Sequence, residues 1–169
     1  MKGFREISPY EIDRAAQRIG KEWMLITAWD GEKGRANAMT ASWGCMGELW
    51  NKPVAVCFVR PQRHTYGLTE QQERWSLCFL GKGYRKELGL CGRESGRNTD
   101  KLAVAGLHTA DCDGVAAVEE SELVLVCRKL YADDLRESAF VDPSLLANYA
   151  QKDYHRVYIC EIEHAYVRD

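Results

Sequence analysis

The feature that most limits how this chain can fold is a succession of short strand-like runs joined by links of hairpin length. Trp23-Met24-Leu25-Ile26-Thr27-Ala28-Trp29 is apolar without a polar face and reads as a buried strand, and Asp30-Gly31 turns the chain after it. Residues 36–43 read as the returning strand. Residues 53–59 read as another, stopped by Pro61, which has no N–H to give to a ladder. Residues 75–80, 114–118, 123–135 and 157–167 complete the set, with 114–118 and 123–135 read as a hairpin. Helices are fewer. Ser8-Pro9-Tyr10-Glu11 has the residues of a capping box, Ile12, Ala15, Ala16 and Ile19 then recur on one face, and Gly20 can end the helix. Residues 65–72, 84–90, 99–107 and 142–149 read as further short helices. This balance predicts a mainly β fold, an antiparallel barrel with a few short helices, rather than a parallel α/β sheet. With no internal repeat, linker or low-complexity stretch, residues 1–169 are expected to form one domain.

Charge and cysteine usage exclude several functions. The formal charge is −2, with Lys and Arg scattered, so no global basic field awaits nucleic acid. No run approaches the roughly 18 apolar residues of a membrane helix. The N-terminal Met1-Lys2-Gly3-Phe4-Arg5-Glu6 lacks the apolar core of a signal peptide, which predicts a cytoplasmic protein. Seven widely spaced cysteines with no C-x-x-C pair argue against a disulfide framework or a zinc site. Cys57, Cys78, Cys127 and Cys160 sit among apolar residues and read as small buried hydrophobes. His64, His108, His155 and His164 have no metal-ligand spacing, so no metal is expected. Gly81-Lys82-Gly83 fails the dinucleotide fingerprint, because Lys86 stands where its third small residue belongs.

Three segments remain. In Asn37-Ala38-Met39-Thr40-Ala41-Ser42-Trp43, Thr40 and Ser42 share one strand face and Met39 and Trp43 the other. Small residues let a planar ligand reach the backbone, and hydroxyls can bond it; an ordinary strand with two surface hydroxyls fits equally well. In Val59-Arg60-Pro61-Gln62-Arg63-His64-Thr65, a strand gives way to a helix start carrying two arginines, which suits an anion or a solvated basic loop. Cys91-Gly92-Arg93-Glu94-Ser95-Gly96-Arg97-Asn98-Thr99-Asp100-Lys101 is a glycine-bearing polar loop with two arginines and a lysine, fit to cradle an anion or to stay wet as a connector. The residues alone support a pocket for an anion and a ring.

Together the three segments resemble the flavin reductase-like family of FMN-binding split barrels. The carrying residues are Asn37 to Trp43, Val59 to Tyr66, and Cys91-Gly-x-x-Ser-Gly-Arg97 with Asp100-Lys101 and Gly106-Leu107. The similarity spans about residues 23–107 well and the C-terminal strands loosely. It implies a Greek-key barrel that dimerises, with FMN near the interface. The first segment (Asn37, Met39, Thr40, Ala41, Ser42, Trp43) would run along the isoalloxazine. Arg60, Arg63, His64 and Thr65 would hold the phosphate, and Ser95, Arg97 and Lys101 would add contacts at the phosphate or ribityl end. The family often has Tyr or Phe where this chain has His64.

The resemblance implies a flavin reductase-type oxidoreductase, passing electrons from NAD(P)H through flavin to an acceptor. An electron-transfer flavoprotein reduced by a protein donor, and a split-barrel binding module for another ligand, are the alternatives. Hydride transfer requires no side-chain base, so no catalytic side chain is expected. Cys45 and Cys91 lie in or beside the segments and read as packing residues.

Overall fold

The computed structural model describes residues 1–169. In chain order its elements are β1 (Phe4–Ile7), α1 (Ala15–Gln17), β2 (Met24–Asp30), β3 (Arg35–Ala41), β4 (Gly44–Leu49), β5 (Lys52–Val59), α2 (His64–Gln71), β6 (Arg74–Phe79), α3 (Arg85–Arg93), α4 (Lys101–Ala105), β7 (Thr109–Cys112), β8 (Val115–Val118), β9 (Leu123–Asp134) and β10 (Arg156–Arg168). Short helical segments fill Pro9–Glu11, Arg18–Glu22, Lys82–Tyr84, Glu137–Ala139 and Pro143–Tyr149, the last of these seven residues long. None of the helices is long and apolar enough to cross a membrane.

The main sheet is antiparallel throughout and runs β3-β2-β6-β9-β10-β5-β4, with β1 added to β10. The consecutive strands β3 and β4 therefore lie at opposite ends of one sheet. Only Ser42 and Trp43 join them, and the barrel is split there. The long strand β10 makes the curvature possible. Its pairing with β9 shifts register between Ile159 and Cys160 and again between Ile162 and His164, and such bulges bend a strand.

The continuous apolar run of β2 is explained by two cores, one on each face of the sheet. Met24, Ile26 and Ala28 point into the barrel with Trp75, Phe79 and Tyr158. Leu25 packs outward with Leu88, Cys91, Leu102 and the β7–β8 hairpin. A strand covered on both faces has no need of alternation. Cys57, Cys127 and Cys160 are buried in the barrel, and Cys78, Cys91 and Cys112 lie under the helices; Cys45 alone is exposed.

Two expectations fail. The helix read over residues 8–20 forms its capping box, with Glu11 accepting the Ser8 N–H at 2.8 Å, but then ends after one turn. Ile12 turns inward against the barrel core in extended conformation, and Arg14 is left-handed (φ 51°), so helix resumes only at Ala15. The hairpin read between 114–118 and 123–135 is also wrong. β8 pairs with β7 through Asp113-Gly114, both at positive φ (53° and 82°), while β9 lies between β6 and β10.

Candidate functional site

The three segments converge at the split. Asn37 of β3 is buried and its Nδ2 donates to Thr65 Oγ1 (2.9 Å), tying the first segment to the second. The second grips the third. Arg63, at the N-cap of α2, donates through Nη1 to Gly92 O (2.7 Å), and Arg97 Nη1 returns a bond to Gln62 O (2.8 Å). Gly96 lies so close to both that a Cβ built on it would overlap Asn37 Oδ1 and reach within 3.0 Å of His64 Cδ2. Only glycine permits this approach.

Two cavities result, and Arg63 borders both. The first, about 220 Å³, is lined by Met39, Thr40, Ala41, Ser42 and Trp43 on one side and by Phe58, Arg60 and His155 on the other. β3 ends at Ala41, so Ser42 and Trp43 belong to the crossing link rather than to the strand read over 36–43. The Thr40 hydroxyl is engaged by the carbonyl of Leu88 (2.5 Å), which docks α3 beneath this edge.

The second cavity, about 210 Å³, has no hydrophobic lining at all. Arg63, Arg93, Arg97 and Lys101 face it against the single carboxylate of Glu94, with His64, Thr65 and Ser95 between them. It has the chemistry of an anion site. Lys101 is 4% exposed, and its one hydrogen bond is to Cys91 O (3.2 Å). Burial and the nearby Arg63 push its ammonium down from 10.5 to about 8. Burial also lowers Arg63. Neither cation has an ion pair; Asp100 is committed to Arg35 (3.4 Å) and Asp30 to His64 (2.7 Å), and Glu94, the one carboxylate on the cavity wall, acts on Lys101 only at a distance. Buried cations without a counter-charge are costly, and a bound anion removes that cost. The first turn of α2 lines the same cavity with no side-chain cap on its N–H groups.

Arg60 stands apart. It pairs with Asp153, donates to Asn148 O (2.9 Å) and lies 5.0 Å over the Tyr149 ring, at the edge of the first cavity and outside the second. His64 is turned to Asp30. Burial alone would raise the Asp30 carboxyl, but the bonds from His64 and the Lys33 N–H outweigh it and hold it below its usual range. Cys91 is buried and its thiol is pushed up by burial, which keeps it a poor nucleophile.

Sequence reasoning missed His155, Phe58 and Asp30. Phe58 lies fifteen residues beyond Trp43, Asp30 thirty-four before His64 and His155 more than ninety beyond Arg60, and no local spacing marks them. His155 is 8% exposed, with Nδ1 2.8 Å from the Tyr149 hydroxyl and its ring 5.2 Å from that of Trp43. Burial, reinforced by Arg60 and opposed by Asp153, pushes it down from 6.5 to about 4. In that window the unfolded chain binds a proton that the folded chain refuses, so stability falls as pH falls from 6.5 to 4, by up to about 3 kcal/mol. His155→Gln should flatten the acid limb of a Tm-against-pH curve. Superimposable acid limbs would show that His155 contributes nothing to it.

A further cavity, about 970 Å³, lies over Phe4, Leu80, Tyr84 and the carboxylates of Glu119, Glu120 and Glu122, and none of the three segments reaches it.

Comparison with protein families matches residues 16–169 to the flavin reductase like domain. No curated protein sequence matches the chain. Among solved structures, an FMN-binding domain of a flavin reductases-like enzyme from Shewanella baltica superposes with a TM-score of 0.69 at 16% identity, covering 98% of this chain and 77% of that one. Flavoredoxin of Desulfovibrio vulgaris gives 0.69 at 18% identity, over 87% of this chain and 69% of that one. Flavoredoxin from Methanosarcina acetivorans gives 0.67 at 22%, over 88% and 69%. These likenesses carry the split-barrel fold seen here, and the match over residues 16–169 carries the family: the chain belongs to the flavin reductase-like domain family.

Proposed function

We propose that the two joined cavities hold FMN and that the chain is an NAD(P)H-dependent oxidoreductase of flavin reductase type. The observation that carries this reading is Lys101, a buried ammonium without an ion pair on the wall of a wholly polar cavity in which four cations face one carboxylate. A phosphate monoester supplies the missing charge. Arg63, Arg97 and Lys101 would hold it with the Thr65 and Ser95 hydroxyls and the uncapped start of α2. The ring would lie along Met39–Trp43, with Trp43, Phe58 and His155 forming the far wall. β3 is an edge strand, so alternate N–H groups near Met39 and Ala41 are unclaimed by a ladder and can bond the ring's polar edge.

Bound there, the flavin supplies the redox chemistry, taking up hydride from a nicotinamide and passing electrons to an acceptor. The protein's part is to bind, orient and exclude water. Trp43 is 45% exposed beside edge strand β4, whose tip carries Leu49 and Trp50 at 38% and 55%. That apolar rim supports a homodimer with the ring cavity at its interface. The seven unpaired thiols suit a reducing cytoplasm.

Purified protein should carry, or take up, FMN with a flavin absorbance spectrum, and anaerobic NADH or NADPH should bleach it. Binding without bleaching by either nicotinamide would leave a flavoprotein with a protein donor. No flavin binding would end the proposal.

A further inference from the structure

His64 has one ring nitrogen committed and one free. Nε2 lies 2.7 Å from Asp30 Oδ2, and Asp30 is 2% exposed. The Asp30 carboxyl is held below its usual range, so near neutral pH it is an anion and can only accept. The proton between the two therefore sits on Nε2. Asp30 Oδ1 also accepts the Lys33 N–H (3.2 Å), which fixes the carboxylate in turn. Nδ1 of His64 makes no hydrogen bond. It is not one of the buried orphans either, which are Thr27 Oγ1, Trp75 Nε1 and Glu87 Oε2, so it meets open space. It is the ring atom opposite the Cδ2–Nε2 edge, and that edge is turned to Gly96 and Asp30. The same imidazole lines the anion cavity with Arg63, Arg97 and Lys101.

We propose that Asp30 and His64 work as a proton-linked phosphate contact. Asp30 holds the Nε2–H, Nδ1 faces the anion cavity, and a phosphate monoester entering that cavity brings a proton from solvent onto Nδ1. The proposal rests on the FMN reading above. A bare Nδ1 shows only a lone pair to a phosphate oxygen, which repels it. A protonated Nδ1 donates, and the imidazolium is then bracketed by two anions, Asp30 and the phosphate. The ligand-free site resists that extra charge. Around His64 stand Asp30 from β2, Glu32 and Lys33 from the β2–β3 turn, Arg63 and the Tyr66 phenol at the start of α2, and Arg93, Glu94, Arg97 and Lys101 across the anion cavity. Five cations thus oppose three carboxylates, and a sixth positive charge is disfavoured until an anion arrives. Binding and protonation are thereby coupled, and binding strengthens as pH falls through neutrality.

The test counts protons. FMN and phenyl phosphate, a monoester without a flavin, are titrated into the native protein at pH 7 by calorimetry in buffers of different ionisation heat. At that pH the other contributions are small and opposed. Lys101, titrating near 8, takes up about a tenth of a proton, and the monoester, with its second ionisation near 6, gives up about as much. The native protein should take up about half a proton or more with either ligand. Asp30→Asn keeps the shape and the bond to the Lys33 N–H but removes the charge that supports the imidazolium. His64→Phe keeps a ring and removes the proton site, and stands in should the buried Asn fold poorly. Either variant should cut the uptake to about a quarter of a proton or less and weaken FMN about tenfold. A residue that only shapes the loop would lower affinity and leave the proton count alone. Native uptake below about a quarter of a proton, or uptake undiminished in both variants, overturns the proposal. Phenyl phosphate bound with the expected uptake but no FMN bound would sink the FMN reading and leave the proton-linked contact standing. Refusal of both ligands overturns both.

Discussion

Replacing Lys101 with methionine should stabilise the ligand-free protein and at the same time weaken its hold on FMN. Lys101 is 4% exposed, touches only the Cys91 carbonyl through hydrogen bonding, and titrates near 8 rather than 10.5 because of burial and the neighbouring Arg63. The folded state thus holds its proton less firmly than the unfolded chain does. Below pH 8 the whole of that difference counts against folding, and it is relieved as pH rises from 8 to 10.5. It amounts to about 3 kcal/mol at neutral pH. Lys101→Met removes the charge and keeps most of the volume. The ligand-free variant should gain about 2 kcal/mol, the remainder being lost with the bond to Cys91. Binding should move the other way. The loss of one charge-assisted contact to a phosphate is about 1.5–3 kcal/mol, roughly tenfold to a hundredfold in Kd. Thermal melts with and without FMN measure the two effects in one experiment. A variant that melts lower when ligand-free and binds FMN unchanged would mean that Lys101 is a structural cation, not an anion ligand.

Gly96→Ala should be nearly as damaging, through shape rather than charge. The new methyl would overlap Asn37 Oδ1, and neither neighbour can yield freely. Asn37 is held by Thr65 (2.9 Å), and His64 by Asp30 (2.7 Å). The loop must lift instead, taking Ser95 and Arg97 away from the anion cavity. Overpacking of this kind costs about 1–3 kcal/mol, so FMN binding should fall by about fivefold to a hundredfold. Adding Asn37→Ala removes the obstacle and should recover part of the affinity. Unaltered FMN affinity in Gly96→Ala would show that the loop does not contribute to the site.

Much of this was legible in the chain. The strands with long apolar runs, β2, β5, β6, β9 and β10, announce themselves because burial on one or two faces leaves a periodic mark. β1, β4 and β7 do not. Phe4–Ile7 and Thr109–Cys112 are four residues each, and Gly44–Leu49 is largely exposed with two glycines, so none buries enough to be patterned. The error over the β8 hairpin was avoidable, since Asp113-Gly114 is itself a strong two-residue hairpin signal. At the site, the three segments were readable because each is local. Their partners were not. Arg60 finds Asp153 ninety-three residues away, and it stands at the edge of the first cavity rather than in the wholly polar one. His64 finds Asp30 across thirty-four. Such distances are set by the closing of the sheet, which no short window of sequence contains.

The placing of β3 and β4 at opposite ends of one sheet has a mechanical consequence. Hydrogen bonds do not zip these two borders together; a two-residue tether does. A ligand lodged along Met39–Trp43 and against Phe58 would touch both borders and act as a clasp. Amide exchange should therefore slow along β3 and β4 when flavin binds, even at residues that the flavin never touches, while β9 and β10, sealed in the middle of the sheet, should be indifferent.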